Sequence, residues 1–138
     1  MESSNQQPRI YLVEDSPILL RLLRELLQSV GANIVGDSNS ARIAIAEIGR
    51  LRPDVIIVDI ALQSGNGFDV LGALAGLKEY GRPIRIVLTN YTSDPYQSAA
   101  KRLGVEYFFD KSTEILKMLK VVTSMMSSAG MQKNGSDA

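Results

Sequence analysis

Val55-Ile56-Ile57-Val58-Asp59 decides how this chain folds. Four apolar residues in a row are too few for a typical helix, do not alternate with polar ones, and stop at a carboxylate. A continuous apolar run of this length suits a strand covered on both faces, as in a parallel sheet. Three other runs share its character: Ile10-Tyr11-Leu12-Val13, Ile84 to Leu88 (broken only by Arg85), and Tyr107-Phe108-Phe109. Asn33 to Gly36 is a weaker candidate for a further strand.

Helical patterns fill the intervals. Ser16-Pro17 reads as an N-cap followed by proline at the first helical position. Leu19, Leu22, Leu23, Leu26 and Val30 then recur at helical spacing as far as Gly31. Ser40 caps a second pattern through Ile43, Ile45 and Ile48, which stops before Pro53. A third is expected over 68–78, carried by Val70, Leu71, Leu74 and Leu77. Asp94-Pro95 opens a fourth, closed by Gly104, and Ile115, Leu119, Val122 and Met126 mark a fifth. This α/β alternation, repeated five times, implies a doubly wound parallel sheet with helices on both faces and right-handed crossovers. Ligands in such sheets bind beyond the carboxyl ends of the strands.

The 138 residues suit one domain, here 9–126, between flexible ends at 1–8 and 127–138. A 45% hydrophobic composition excludes bulk disorder, and a formal net charge of zero gives no support to direct nucleic-acid binding. There is no cysteine, which is compatible with a cytoplasmic setting, and no histidine. The missing histidine removes His-based acid–base catalysis, the common zinc sites and any phosphohistidine on this chain. No secretory signal is legible, and no apolar run approaches the roughly 20 residues a membrane helix needs.

Reading only the strand ends gives a short list. The first strand ends in Glu14-Asp15, the third in Asp59, the fourth in Thr89, and the fifth is followed by Asp110-Lys111. Glu14, Asp15 and Asp59 against Lys111 leave an excess of two negative charges. Like charges about 4 Å apart repel by about 4 kcal/mol at an effective dielectric near 20. Either some carboxyls are protonated or a cation sits among them. All the side-chain donors are hard oxygens, so Mg²⁺ or Mn²⁺ fits better than zinc. Taken singly, Asp15 is a helix-start residue, Asp59 a turn residue and Lys111 a solvated charge; their meeting at one sheet edge is what carries weight.

These segments resemble the receiver domains of two-component response regulators: Val13-Glu14-Asp15-Ser16, Ile57-Val58-Asp59-Ile60, Gly65-Asn66-Gly67, Val87-Leu88-Thr89 and Phe108-Phe109-Asp110-Lys111. The resemblance runs from about Arg9 to Met126. It implies a flavodoxin-like five-stranded sheet in the order 2-1-3-4-5, with Asp59 as phosphoacceptor. By the same resemblance Asp15, Asp59 and the backbone carbonyl of Ala61 bind Mg²⁺, and Glu14 assists through water. Lys111 pairs with the phosphorylated carboxylate, Thr89 turns its hydroxyl onto the phosphoryl group, and Phe108 is the aromatic switch residue, with a plain core Phe as its competing reading. Ala61 and Tyr91 flank the path of attacking water, so slow self-dephosphorylation is expected; packing of Tyr91 on its own loop is the alternative. The donor would be a sensor histidine kinase or a histidine phosphotransfer protein. Output would pass through a protein partner on the face of the fourth helix, fifth strand and fifth helix, which carries Lys101, Arg102 and Lys117, or through a homodimer.

The chain departs from the family pattern at Glu14 (for Asp), at 60–65 (no proline), at Asn90 (for a very small residue) and at Ser112 (for proline, so that a cis peptide after Lys111 is not assumed). Three rival readings share the topology. A nucleotide or flavin binder would need a phosphate-cradling first loop, but Glu14-Asp15-Ser16-Pro17 repels phosphate unless a metal intervenes. A haloacid dehalogenase-like phosphatase would need a second Asp where Ala61 stands. A receiver-like module that binds proteins without being phosphorylated would not need the site residues that are present.

Overall fold

The computed structural model of the chain describes residues 7–75 and 83–137, with side chains described up to Met126. Five strands, β1 (Arg9–Val13), β2 (Asn33–Ser38), β3 (Val55–Val58), β4 (Ile84–Thr89) and β5 (Tyr107–Asp110), alternate with five helices. The helices are α1 (Pro17–Ser29), α2 (Ala41–Leu51), α3 (Gly67–Ala75), α4 (Asp94–Arg102) and α5 (Ile115–Asp137). The strands pair in parallel in the order β2-β1-β3-β4-β5, the expected flavodoxin-like arrangement. The weak strand at Asn33 is present and extends to Ser38.

Strand periodicity divides the interior in two. Tyr11, Val13, Ile56, Val58 and Val87 face one side, packed with Ala44 and Ile48 of α2, Val70, Leu71 and Leu74 of α3, and Ala100 of α4. Ile10, Leu12, Val55, Ile57, Ile86 and Leu88 face the other, packed with Leu23 and Leu27 of α1 and Met118 and Val122 of α5. Both faces of the central strands are thus dry, which is why their sequences are uninterrupted apolar runs. Each such aliphatic side chain contributes about 1.5–3 kcal/mol by leaving water.

The caps sit where the sequence indicates them. Ser16 Oγ accepts from the Leu19 N–H at 3.2 Å, with Pro17 opening α1, and Ser40 Oγ accepts from the Ile43 N–H at 3.4 Å. The buried faces are rotated from the expected ones. In α1 the buried pair is Leu23 and Leu27, while Leu22 is exposed. In α2 the inner positions are Ala41, Ala44 and Ile48, while Ile43 is exposed. The close-packed surface of α2 selects small residues, which a search for large apolar side chains passes over. Beneath it the Tyr11 ring lies on Gly36, where a Cβ would come within 2.9 Å of Cε2. The Tyr11 hydroxyl donates to Glu47 Oε1 at 2.5 Å.

Three expectations meet the edges of the described residues. The flexible stretch at 1–8 lies outside them up to residue 6, as do 76–78 of the third helix, whose described part ends at Ala75. The stretch expected as a flexible tail, 127–138, is helical backbone as far as Asp137, continuing α5 beyond Met126. No helix among the described residues is long and apolar enough to cross a membrane.

Candidate functional site

The parallel ladder continues one residue beyond three strands and thereby sets the site. The Glu14 N–H donates to the Ser38 carbonyl at 3.0 Å, the Asp59 N–H to Val13 at 2.9 Å, and the Lys111 N–H to Thr89 at 2.9 Å. These bonds anchor Glu14, Asp59, Thr89 and Lys111 at the same edge of the sheet, as the sequence implies. Glu14, Asp59 and Thr89 are buried.

Lys111 gathers the charges. Its Nζ lies 2.5 Å from Asp59 Oδ2 and 3.0 Å from Glu14 Oε1. Burial works against the ammonium, but hydrogen bonds and charge from Asp59 and then Glu14 outweigh it and hold the Lys111 pKa above its ordinary value. Glu14 Oε2 also accepts from the Ser16 N–H at 2.8 Å, so this carboxylate braces the lysine and the start of α1 together. The sequence gives Glu14 no such role. Asp15 stands apart: it is exposed at the rim, and its carboxylate accepts no hydrogen bond from another described residue.

The loop after Asp59 is fixed from three sides. The Ala61 N–H points to Asp59 Oδ1 at 3.3 Å. The Gly67 N–H donates to the Ile60 carbonyl at 2.8 Å, and a Cβ on Gly67 would stand 2.4 Å from the Asp59 carbonyl oxygen, so only glycine allows this approach. The Ser64 carbonyl accepts from the Ala41 N–H at 2.9 Å, which joins the loop to the start of α2.

Thr89 accepts at Oγ1 from the Tyr91 N–H at 3.2 Å. The Tyr91 ring packs against Tyr96, with centroids 5.5 Å apart, and Tyr96 stacks on Phe68 at 6.3 Å. Phe108 is half-buried against the α2–α3–α4 side of the core and lines a groove with Ala100, Lys101 and Val105.

The turn after β5 carries Ser112 after Lys111 and is held by side-chain bonds. No cis peptide occurs among the described residues, so the Lys111–Ser112 bond is trans. Asp110 Oδ1 accepts from the Ser112 N–H at 2.9 Å and from its hydroxyl at 2.6 Å, and Glu114 Oε1 accepts from the Asp110 N–H at 2.8 Å. These bonds hold both carboxyls below their usual range: Asp110 chiefly through the Ser112 hydroxyl, Glu114 chiefly through the Asp110 N–H. Glu114 is a site-supporting residue absent from the sequence expectations, and Asp110, named there at the strand end, is given no such role. Their signal there is an acidic pair at i and i+4 astride the lysine.

Among the described residues no group of three or more acidic side chains is gathered into a metal cage. The expected meeting of three carboxylates is therefore not seen: Glu14 and Asp59 converge on Lys111 while Asp15 stays at the rim. The donors expected for Mg²⁺ are Asp15, Asp59 and the Ala61 carbonyl, with Glu14 through water. Their chemistry fits a small hard cation, which keeps several waters and takes few carboxylates.

The family model for the response regulator receiver domain matches residues 10–123. The regulatory protein LuxO of Vibrio cholerae is 33% identical over 129 residues, 91% of this chain, and the chain spans only 27% of LuxO's length. Chemotaxis protein CheY4 of Vibrio cholerae has a similar structure, with TM-score 0.74 and 25% identity over 84% of this chain and 98% of that one. So does the Mn(2+)-bound form of response regulator Rcp1, with TM-score 0.72 and 25% identity over 87% of this chain and 92% of that one. With strand order, site edge and family model in agreement, this chain belongs to the response regulator receiver domains of two-component systems.

Proposed function

We propose that Asp59 accepts a phosphoryl group from the phosphohistidine of a partner sensor kinase or phosphotransfer protein. The observation that carries this reading is the Lys111 ammonium against Asp59, with the Lys111 N–H donating to the carbonyl of Thr89 at the end of β4. The Asp59 carboxylate oxygen attacks phosphorus. The phosphorus–nitrogen bond of the donor breaks, its electron pair returns to the imidazole, and that nitrogen takes a proton from solvent. Lys111 offsets charge on the phosphoryl oxygens, and Thr89 donates its hydroxyl to one of them. Mg²⁺, or Mn²⁺ as in the Rcp1 structure, would be held by Asp15, Asp59 and the Ala61 carbonyl, with Glu14 near by, and would supply charge neutralisation.

In this reading the domain signals and does not turn over a substrate. Its output goes to a protein partner, or a second copy of the chain, at the face of α4, β5 and α5, where Phe108 lines the groove and Lys101 and Arg102 are exposed. The test is intact-mass spectrometry after incubation with acetyl phosphate and Mg²⁺. One phosphoryl group should appear on the wild type and none on Asp59→Asn. Equal labelling of the variant would sink the assignment.

A further inference from the structure

The loop that carries the Ala61 carbonyl is seated on the start of a helix that contributes nothing to the site directly. Ala61 and Asn66 form a short antiparallel bridge, so 61–66 is a closed turn. Its α3 end is stapled by reciprocal bonds. The Asn66 N–H donates to Asp69 Oδ2 at 3.1 Å, and the Asp69 N–H donates to Asn66 Oδ1 at 3.1 Å. The tip of the turn is held from outside, by the first residues of α2. The Ala41 N–H donates to the Ser64 carbonyl at 2.9 Å, and Ser40 pairs with Ser64 as a parallel bridge. Asn39 Nδ2 donates to Gln63 Oε1 at 3.4 Å.

The seat is a close fit. Gly65 has a φ of +78°, a conformation that favours glycine, and a Cβ there would stand 2.7 Å from the Ala41 Cβ and 3.2 Å from Asp69 Oδ2. Ala41 is buried, as are Ser38 and Ser40 before it. Ser38 pins this segment with its own side chain: its Oγ accepts from the Ser40 N–H at 3.0 Å and donates to the Ser40 carbonyl at 3.2 Å. The Ser38 carbonyl in turn accepts from the Glu14 N–H at 3.0 Å. Residues 38–41 are thus bonded at one end to the residue before Asp15 and at the other to the turn after Asp59. They join two of the segments expected to hold the cation.

We infer that Ala41 is a positioning residue for the cation site: its N–H and its methyl group seat the tip at Ser64 and Gly65, and so set where the Ala61 carbonyl stands relative to Asp59 and Asp15. The inference rests on the Mg²⁺ reading proposed above and adds to it a contact outside the set of ligands. Mg²⁺ demands near-ideal geometry from few protein ligands, so displacing one carbonyl shows directly in affinity.

The experiment is a Mg²⁺ titration followed by amide NMR on unphosphorylated wild type, Gly65→Ala, Ala41→Gly and the Ala41→Gly/Gly65→Ala double variant, with the melting temperature of each metal-free protein. Gly65→Ala drives one methyl group against another and lifts the tip from α2. Mg²⁺ should then bind about tenfold more weakly, the low end of the loss when the support behind a metal ligand is removed. The Ala61 amide signal should move in the metal-free protein as well. Ala41→Gly keeps the N–H bond and should bind Mg²⁺ as the wild type does. In the double variant the methyl group at 65 enters the space vacated at 41, where the Cα is 3.9 Å away. Mg²⁺ affinity and the Ala61 signal should largely return. The melting temperature should stay low, because alanine remains strained at a positive φ and the helix has lost its own alanine. A merely structural role would move affinity and melting together. Wild-type Mg²⁺ affinity in Gly65→Ala, or a double variant as weak as Gly65→Ala, would overturn the inference. A wild type that binds no Mg²⁺ would overturn the cation reading on which it rests.

Discussion

Lys111 donates its main-chain N–H to the Thr89 carbonyl at 2.9 Å while its side chain reaches past the end of β4 to Asp59. One residue thus ties β5, β4 and β3 together at the edge where phosphoryl transfer is proposed. The lysine has two tasks, structural and electrostatic, and they can be measured apart.

Replacing Lys111 by Met removes the shared partner of two buried carboxylates. Loss of one member of a buried ion pair typically costs about 3–5 kcal/mol. Since the ammonium keeps some contact with water, a loss near the lower end is expected, read by urea unfolding at neutral pH. The sign with pH follows from the raised pKa of Lys111. Its contribution is complete below the ordinary lysine value of about 10.4 and disappears as pH rises through the higher folded value. The alkaline limb of stability should therefore flatten in Lys111→Met. Parallel wild-type and variant limbs would count against this ion pair as a stabilising contact.

Asp110 and Glu114 should shape the acid limb. Both carboxyls are held below their ordinary range in the folded chain. Their contribution is therefore present above that range and is lost as pH falls through the depressed folded values. Asp110→Asn and Glu114→Gln should each reduce the slope of stability against pH in acid. Both should also slow labelling of Asp59, because the turn they hold carries Lys111. Unchanged labelling rates in both variants would show that the turn does not place the lysine.

Asp15 is exposed, and its carboxylate accepts no hydrogen bond from another described residue. Asp15→Ala should therefore change the stability of the metal-free protein by no more than about 0.5 kcal/mol. Titration with Mg²⁺ by calorimetry should nonetheless show weakened binding, and labelling by acetyl phosphate should slow. Unaltered Mg²⁺ affinity would exclude Asp15 as a ligand.

Gly67→Ala introduces a methyl group where only 2.4 Å separates the ideal Cβ from the Asp59 carbonyl oxygen. The loop has to move, at a cost of about 1–3 kcal/mol for an overpacked site. Thermal unfolding should register the loss, and labelling of Asp59 should fall with it. A variant as stable as wild type would mean that the loop moves freely at this point.

The strands were legible because burial on both faces removes polar residues from the run; Val55-Ile56-Ile57-Val58 permits little else. The site edge was legible because Asp59 and Thr89 follow such a run directly and Lys111 follows one after a single residue, Asp110. The helix faces were less so. Leu22 and Ile43 advertise a core they do not enter, while Leu27 and Ala44 do enter it, because neighbouring helices fix the rotation. The inward turn of Glu14 depends on Lys111, ninety-seven residues away in the chain. Tyr91 likewise packs on Tyr96, and Tyr96 on Phe68 of another helix; no local pattern encodes such a chain of rings.

The contact of Tyr11 with Gly36 bears on folding fidelity. β1 presents Ile10 and Leu12 to one interior and Tyr11 and Val13 to the other, so a slip of one residue against its neighbours would exchange the two sets. Aliphatic side chains would tolerate that exchange rather well, being of similar size. The Tyr11 ring would not: it would leave the bare backbone at Gly36 and separate its hydroxyl from Glu47. A single aromatic residue opposite a single glycine thus works as a proofreading mark, disfavouring a slipped alignment of an otherwise aliphatic β1.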